Sequence, residues 1–473
     1  MNEQQYDIGM VGLGVMGRNF VLNMADNGYS VAGLDTDPDK AKALDKESGE
    51  LHVNGFTDVK EFVNSLKKPR SVIMLVPAGK AVDSVIDELV PILDKNDLII
   101  DGGNSHFTDT ERHFDELKDK GIHFMGMGIS GGEKGARFGP SMMPGGTESV
   151  YDRVKPILEA AAAKVDGDPC VTFLGPRSAG HYVKMVHNGI EYAIMQILAE
   201  SYQLMKDGLG MSNQQLHETY KSWNEAELDS FLVEITAEIF AKHDDKGDGW
   251  LIDKIKDSAK QKGTGKWTSQ DAMELQVAVP TLDIAVAMRD LSGFKNDRKK
   301  AGDLYKLNKL QEDGTGNYKD FVGKLKNAVY FGMIASYAQG MHQLRVASEH
   351  YKFNLNLKDV ARIWRGGCII RAALLEDIRA AYDRNPDLSN LILDSKFADN
   401  LQKAQSDLRY VVSKSVEMGV PVPALSVSLG YFDAYRSSWM PANLIQAQRD
   451  DFGSHTYERV DQEGTFHSEW SKN

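Results

Sequence analysis

The sequence predicts an α/β domain built on a doubly wound parallel sheet, followed by a large all-α region and an extended polar tail. Three observations carry this. Short apolar runs alternate with helical periodicities up to about residue 178. Helical periodicity then dominates residues 179–434, with few β-branched runs and few tight turns. Residues 435–473 are polar, rich in Gln, Arg and Asp, and nearly aperiodic.

Tyr6–Val11, Ser30–Leu34, Ser71–Val76, Asp97–Asp101 and His123–Gly126 read as strands, with helical stretches between them. A chain of 473 residues is too long for one core, which fits a division into 1–178, 179–434 and 435–473. Within the helical region, Leu216–Trp223 and Leu357–Trp364 repeat one spacing, through an internal duplication or through chance. The tail is too polar to build a core alone, so it is either a loose end or an arm resting on something else.

Composition narrows the partners. A chain that is 42% hydrophobic and 26% charged is ordinary globular material, and no apolar run nears the roughly 20 residues that span a bilayer. The first residues lack a signal-peptide pattern. Two cysteines, Cys170 and Cys368, exclude a disulfide framework and point to the cytoplasm. A net charge of −13 repels nucleic acid, and an anionic substrate needs a local cluster of Lys and Arg. No metal is expected. The histidines lack ligand spacing. The calcium-loop mimic Asp244–Gly249 has Lys246 at a ligand position and Ile255 where the closing Glu belongs.

Gly12-Leu13-Gly14-Val15-Met16-Gly17 follows the first strand and opens a helix, and the second strand ends at Asp35, near the expected spacing of about 20 residues. Glycines permit the tight turn, and the helix N-terminus offers N–H groups to a pyrophosphate. The bland alternative is a glycine-rich turn without a ligand. Val76-Pro77-Ala78-Gly79 and Asp101-Gly102-Gly103-Asn104 end later strands at the same crevice. The fold expected is therefore an α/β Rossmann-type dinucleotide-binding domain, a large all-α domain and an extended C-terminal tail.

Lys184, His187, Asn188 and Glu191 share one helical face, while Val183, Val186 and Ile190 suit a core. Such a stripe is equally a solvated face with a Lys–Glu pair. Gly189 argues otherwise, because glycine inside a helix costs about 1 kcal/mol and usually has a packing or functional reason. Ser130-Gly131-Gly132-Glu133 is either an anion- and hydroxyl-binding loop or a plain turn. Lys262–Thr268 fails the P-loop pattern but remains a candidate anion-binding loop, and Arg289 follows on a helical stretch.

With Gln446-Ala447-Gln448-Arg449-Asp450 and His455-Thr456-Tyr457, these segments resemble the 6-phosphogluconate dehydrogenase family, in order and over nearly the whole chain. The resemblance implies oxidative decarboxylation of 6-phosphogluconate, a homodimer and a tail that crosses onto the partner. It makes Lys184 the general base and Glu191 the acid. Ser130, Gly131, Gly132, His187 and Asn188 become contacts to the substrate carboxylate and hydroxyls. Tyr192, Lys262, Thr264 and Arg289 become the phosphate site, completed by Arg449 and His455 of the neighbouring subunit. Asn104 is assigned to both substrate and cofactor. The remaining cofactor residues are Gly12, Leu13, Gly14, Val15, Met16, Gly17, Asp35, Thr36, Asp37, Val76, Pro77 and Ala78.

One segment departs from the family. Its members commonly carry Asn-Arg-Ser or Asn-Arg-Thr after the second strand, with the arginine facing the 2′-phosphate of NADP. Here the segment reads Leu34-Asp35-Thr36-Asp37-Pro38, and Pro77 stands where a lysine is common. A carboxylate at Asp35 suits the ribose hydroxyls of NAD. NAD is therefore the expected cofactor, and NADP is the alternative if Lys40 or Lys42 supplies the phosphate contact. Two rival functions are a short-chain β-hydroxyacid dehydrogenase and a non-catalytic nucleotide or sugar-phosphate binder. The first would lack the long helical region and the tail, and the second would not need both Lys184 and Glu191.

Overall fold

The computed structural model describes residues 5–305 and 318–471. One sheet contains seven strands: β1 (Ile8–Val11), β2 (Val31–Leu34), β3 (Val53–Phe56), β4 (Ser71–Met74), β5 (Leu98–Asp101), β6 (His123–Ser130) and β7 (Ser141–Gly145). Their order is β3-β2-β1-β4-β5-β6-β7. Every neighbouring pair is parallel except β6–β7, which is antiparallel. Strand order reverses between β1 and β4, where a ligand crevice forms in such sheets.

Burial on both faces explains the apolar runs. Ile8, Met10, Ile73 and Ile100 enter one core, while Val11, Val72, Met74 and Ile99 enter the other. Each fully buried side chain of this size contributes about 1.5–3 kcal/mol.

Two strands of this sheet were not expected. β3 is a half-buried edge strand, Val-Asn-Gly-Phe, whose central Asn-Gly reads as a turn. Its Gly55 is required because a Cβ there would lie 2.5 Å from the carbonyl oxygen of Ala41. β7 contains Pro144 and Gly145, also turn residues by sequence. Pro144 is tolerated because β7 is the last strand of the sheet.

Beyond the sheet the chain is helical. The helix Ala179–Gln203 is buried on nearly every side and runs into a π-helical turn, Leu204–Gly208. The long helix Tyr318–Tyr351 packs beside it, with Gly340 so close that a Cβ would lie 2.5 Å from Ile190 Cδ1. Both members of the repeated Leu–Trp spacing are buried, Leu216 with Trp223 and Leu357 with Trp364. The helices at these positions, Asn213–Asn224 and Leu357–Ile363, are capped by Ser212 and Asn356. No described helix is long and apolar enough to cross a membrane.

The chain divides into two compact units, Met1–Ser428 and Leu429–Asn473. The second contains the helix Ala442–Gly453 and a short hairpin of Tyr457–Glu458 with Thr465–Phe466. This segment was expected to be an extended polar tail, either a loose end or an arm resting on something else. It is locally ordered around Asp450, a polar centre that hydrophobic periodicity does not register.

Candidate active site

At the crevice the glycine turn is shaped for an anion. Gly12 adopts φ +93, and a Cβ on Gly17 would lie 1.9 Å from the carbonyl oxygen of Gly12. A Cβ on Gly14 would meet nothing within 4 Å, so the space before the helix Val15–Asp26 is open. Gly14 is its N-cap and no acidic residue occupies its first turn, which suits a pyrophosphate there.

Asp35 follows β2 and is 8% exposed. Its carboxylate accepts from Leu13 N–H at 2.8 Å and Asp37 N–H at 3.0 Å, with Lys40 Nζ at 3.3 Å. Burial opposes its charge, yet these donors hold the carboxyl below the ordinary range, so it is ionised near neutrality. Asp37 caps the helix Pro38–Ser48 by accepting from Asp39 N–H, and Thr36 is exposed. Gly12 and Gly103 both approach Val76, joining the three crevice segments. Val76 is half-buried, whereas Pro77, Ala78 and Asn104 are exposed.

The helix Ala179–Gln203 reaches the sheet through glycine. A Cβ on Gly128 of β6 would lie 2.2 Å from Lys184 Cβ, and one on Gly180 would lie 2.1 Å from the carbonyl oxygen of Met143. Lys184 is thereby pressed against β6 and is 5% exposed. Its Nζ donates to Asn188 Oδ1 at 2.8 Å and lies 3.3 Å from His187 Nδ1. Burial pulls the Lys184 pKa down, against the opposing pull of Glu191. Glu191 lies one turn on, 3.9 Å from His187 Nδ1. Burial pushes its carboxyl up, countered by Lys184 and Arg289. Burial, reinforced by Lys184, holds His187 well below its ordinary value, so the ring is neutral. Gly189 is a packing residue, because a Cβ there would lie 2.5 Å from Thr268 Cγ2.

Ser130 ends β6, 3.3 Å from His187 Nε2 and 3.4 Å from the Ile369 N–H that it accepts. Gly131 has φ +120, and a Cβ there would meet the carbonyl oxygen of Gly367 at 2.5 Å. Sequence reasoning missed this Gly366–Ile369 backing, whose only signal was the Gly366-Gly367 pair. It also missed Trp364, edge-on to the His187 ring at 5.6 Å. Cys368, pushed up to about 12 chiefly by burial, stays a neutral thiol near Lys184.

Lys262–Thr268 is not a loop throughout. Gly263, at φ +102, caps a helix that starts at Thr264. Thr264 is buried and Lys262 exposed. Tyr192 joins this helix to the next, since a Cβ on Gly265 would lie 2.3 Å from its Cδ2 and the Arg289 guanidinium stacks 3.6 Å from its ring centroid. Trp267 meets His106 edge-on at 4.9 Å, bringing the segment near the end of β5. Arg449 and His455 belong to the second unit, where both are exposed. Among the described residues no group of three His, Cys, Asp or Glu is placed to hold a metal.

An open glycine-turn helix on a doubly wound sheet, joined to a buried lysine and a protonatable carboxyl, defines the class as a dinucleotide-dependent oxidoreductase. Two family models agree: the NAD binding domain of 6-phosphogluconate dehydrogenase matches residues 7–175, and the C-terminal domain of that enzyme matches 180–470. The chain belongs to the 6-phosphogluconate dehydrogenase family, which uses a nicotinamide cofactor. It is 50% identical to the NADP(+)-dependent, decarboxylating 6-phosphogluconate dehydrogenase of Bacillus subtilis, covering 100% of both chains. It is also 50% identical to the decarboxylating 6-phosphogluconate dehydrogenase of Staphylococcus aureus (strain Mu50), covering 98% of each. The solved 6-phosphogluconate dehydrogenase of Plasmodium falciparum, described with its cofactor NADP+ and its substrate 6-phosphogluconate, superposes with a TM-score of 0.95 at 45% identity. That match covers 98% of this chain and 100% of the other.

Proposed function

We propose that this protein oxidises and decarboxylates 6-phospho-D-gluconate to D-ribulose 5-phosphate and CO2. The carrying observation is the desolvated Lys184 sharing a helix face with Glu191, whose burial favours its protonated form. When bound, the nicotinamide accepts the hydride from C3. Lys184 in its neutral form takes the proton of the C3 hydroxyl. The product is a β-keto acid. The ammonium of Lys184 then polarises the new ketone while CO2 leaves. Glu191 delivers a proton to the substrate's C2, which becomes C1 of the product, as Lys184 takes back the proton of the enediol hydroxyl at C3.

Ser130, Gly131, Gly132, His187, Asn188 and Asn104 hold the carboxylate and hydroxyls in this reading. Tyr192, Lys262, Thr264 and Arg289 hold the phosphate, with Arg449 and His455 of the partner subunit. Exposed Leu444, Ile445 and Phe452 on the tail helix support a homodimer, because an isolated polar tail has no use for such a face. Truncation before Tyr435 removes activity on this account, and an active truncated monomer would refute the shared site. Two free, buried cysteines suit a cytoplasmic enzyme.

Of the two nicotinamides, NAD is the preferred cofactor in this reading, although NADP appears in the descriptions of the Bacillus and Plasmodium proteins. Asp35 is ionised at the crevice, no arginine stands at Thr36, and Lys40 is already paired with Asp35. The test is incubation of the purified protein with 6-phosphogluconate and either cofactor. Ribulose 5-phosphate is the expected product, and no product with either cofactor would overturn the reading.

A further inference from the structure

Asp450 is fully buried in the second unit, although most residues of that unit are exposed. Its Oδ1 accepts from Thr456 N–H at 2.9 Å and sits 2.9 Å from His467 Nδ1. Its Oδ2 accepts from Ser468 N–H at 3.0 Å and Trp470 Nε1–H at 2.8 Å. A carboxylate has about four lone-pair sites, and this one fills them all. Burial opposes the charge, yet these partners hold the carboxyl below its ordinary range. The arrangement joins the helix Ala442–Gly453 to both sides of the hairpin.

Two features connect this centre to its neighbours. Ser454 and Thr456, on either side of His455, adopt φ +51 and +61, and a β-branched residue in that region is a backbone outlier. Such conformations persist only where surrounding contacts over-determine them, and they cluster at functional positions. Here the Asp450 carboxylate accepts from Thr456 N–H, and the Asp450 carbonyl accepts from Ser454 N–H at 2.9 Å. Gln446 extends the network by donating to the Thr456 carbonyl at 2.5 Å and accepting from Arg449 Nη1 at 2.9 Å. Arg449 is thus held by Gln446, and the backbone on either side of His455 is held by Asp450 and Gln446, while both side chains stay exposed.

We propose that Asp450 is a positioning residue that presents Arg449 and His455 as a pre-organised anion-binding pair, so that the tail docks already shaped. This rests on the reading that both residues complete the partner's phosphate site. Pre-organisation lowers the ordering cost of binding, so its loss raises KM for the phosphorylated substrate and spares the chemical step.

The test is steady-state kinetics on full-length Asp450→Asn, with Arg449→Ala measured in parallel. An amide keeps the shape but places a donor against existing donors. The expected result for Asp450→Asn is a KM for 6-phosphogluconate raised about tenfold or more, with kcat and the cofactor KM within about twofold and the dimer retained by light scattering. An unchanged KM, a lower kcat alone, or loss of the dimer overturns the positioning role. If Arg449→Ala also leaves KM unchanged, the shared-site reading has failed. If Arg449→Ala raises KM and Asp450→Asn does not, only the role of Asp450 has failed. Trp470→Phe removes one donor and keeps the carboxylate, so it covers the case in which Asp450→Asn does not fold. It is expected to raise KM by about two- to fivefold, and no rise overturns the proposal.

Discussion

Lys184 Nζ donates to Asn188 Oδ1 across 2.8 Å, one turn along the same helix, inside a site closed by β6. A neutral amine can make this bond and keep its lone pair free. The contact therefore orients Lys184 without requiring its charge. Because burial disfavours the ammonium, the neutral form is populated below the ordinary lysine pKa of about 10.4.

Lys184→Arg is expected to reduce kcat at least about a hundredfold, since guanidinium stays charged and cannot act as base. Substrate binding by calorimetry is retained. In the unmodified protein kcat/KM rises with pH as Lys184 loses its proton, and that limb falls below the ordinary lysine value. Near-normal turnover in the variant would remove Lys184 from the base role.

Glu191→Gln is expected to separate hydride transfer from final protonation. Rapid mixing gives a first-turnover burst of reduced nicotinamide, followed by a steady state slowed about a hundredfold or more. Glu191 acts in its protonated form, which persists above the ordinary glutamate pKa of about 4.3 because burial raises it. The alkaline limb due to this group disappears in the variant. A native steady-state rate would assign the acid elsewhere.

Gly128→Ala tests the packing beneath the lysine. The added methyl would sit 2.2 Å from Lys184 Cβ, and overpacking of this kind costs about 1–3 kcal/mol. A fall in kcat of about tenfold is expected, with dinucleotide binding by fluorescence titration unchanged. Unchanged kcat would show that the helix can retreat from β6 without moving the amine.

Local pattern made the parallel sheet, the glycine turn and the Lys184 face legible. Each is written within about one turn or one strand of sequence. The remainder depends on distant partners. Ser130 meets Ile369 across 239 residues, and no spacing rule links them. The strand was expected to end at Gly126, yet β6 runs on through Gly128 to Ser130, where the central helix crosses it. β3 and β7 were hidden by Asn-Gly and Pro-Gly pairs that carry turn signals inside edge strands. Asp450 organises the tail by hydrogen bonds, which leave no apolar pattern.

The Asp35→Asn, Thr36→Arg double variant is expected to shift cofactor preference toward NADP. Like charges about 4 Å apart repel by up to ~4 kcal/mol at an effective dielectric near 20, and about 1.4 kcal/mol already gives a tenfold preference. The ratio of kcat/KM for NAD to that for NADP, measured at fixed ionic strength, should exceed one in the natural sequence and fall in the variant. A natural ratio favouring NADP would mean that Lys40 or Lys42 outweighs Asp35.

Simultaneous measurement of dinucleotide reduction and CO2 release from 6-phosphogluconate tests the central claim most directly. One CO2 for each reduced nicotinamide, lost together in Lys184→Arg, is the predicted result. Dinucleotide reduction without CO2, or no reduction with either cofactor, would contradict the assignment of oxidative decarboxylation to this site.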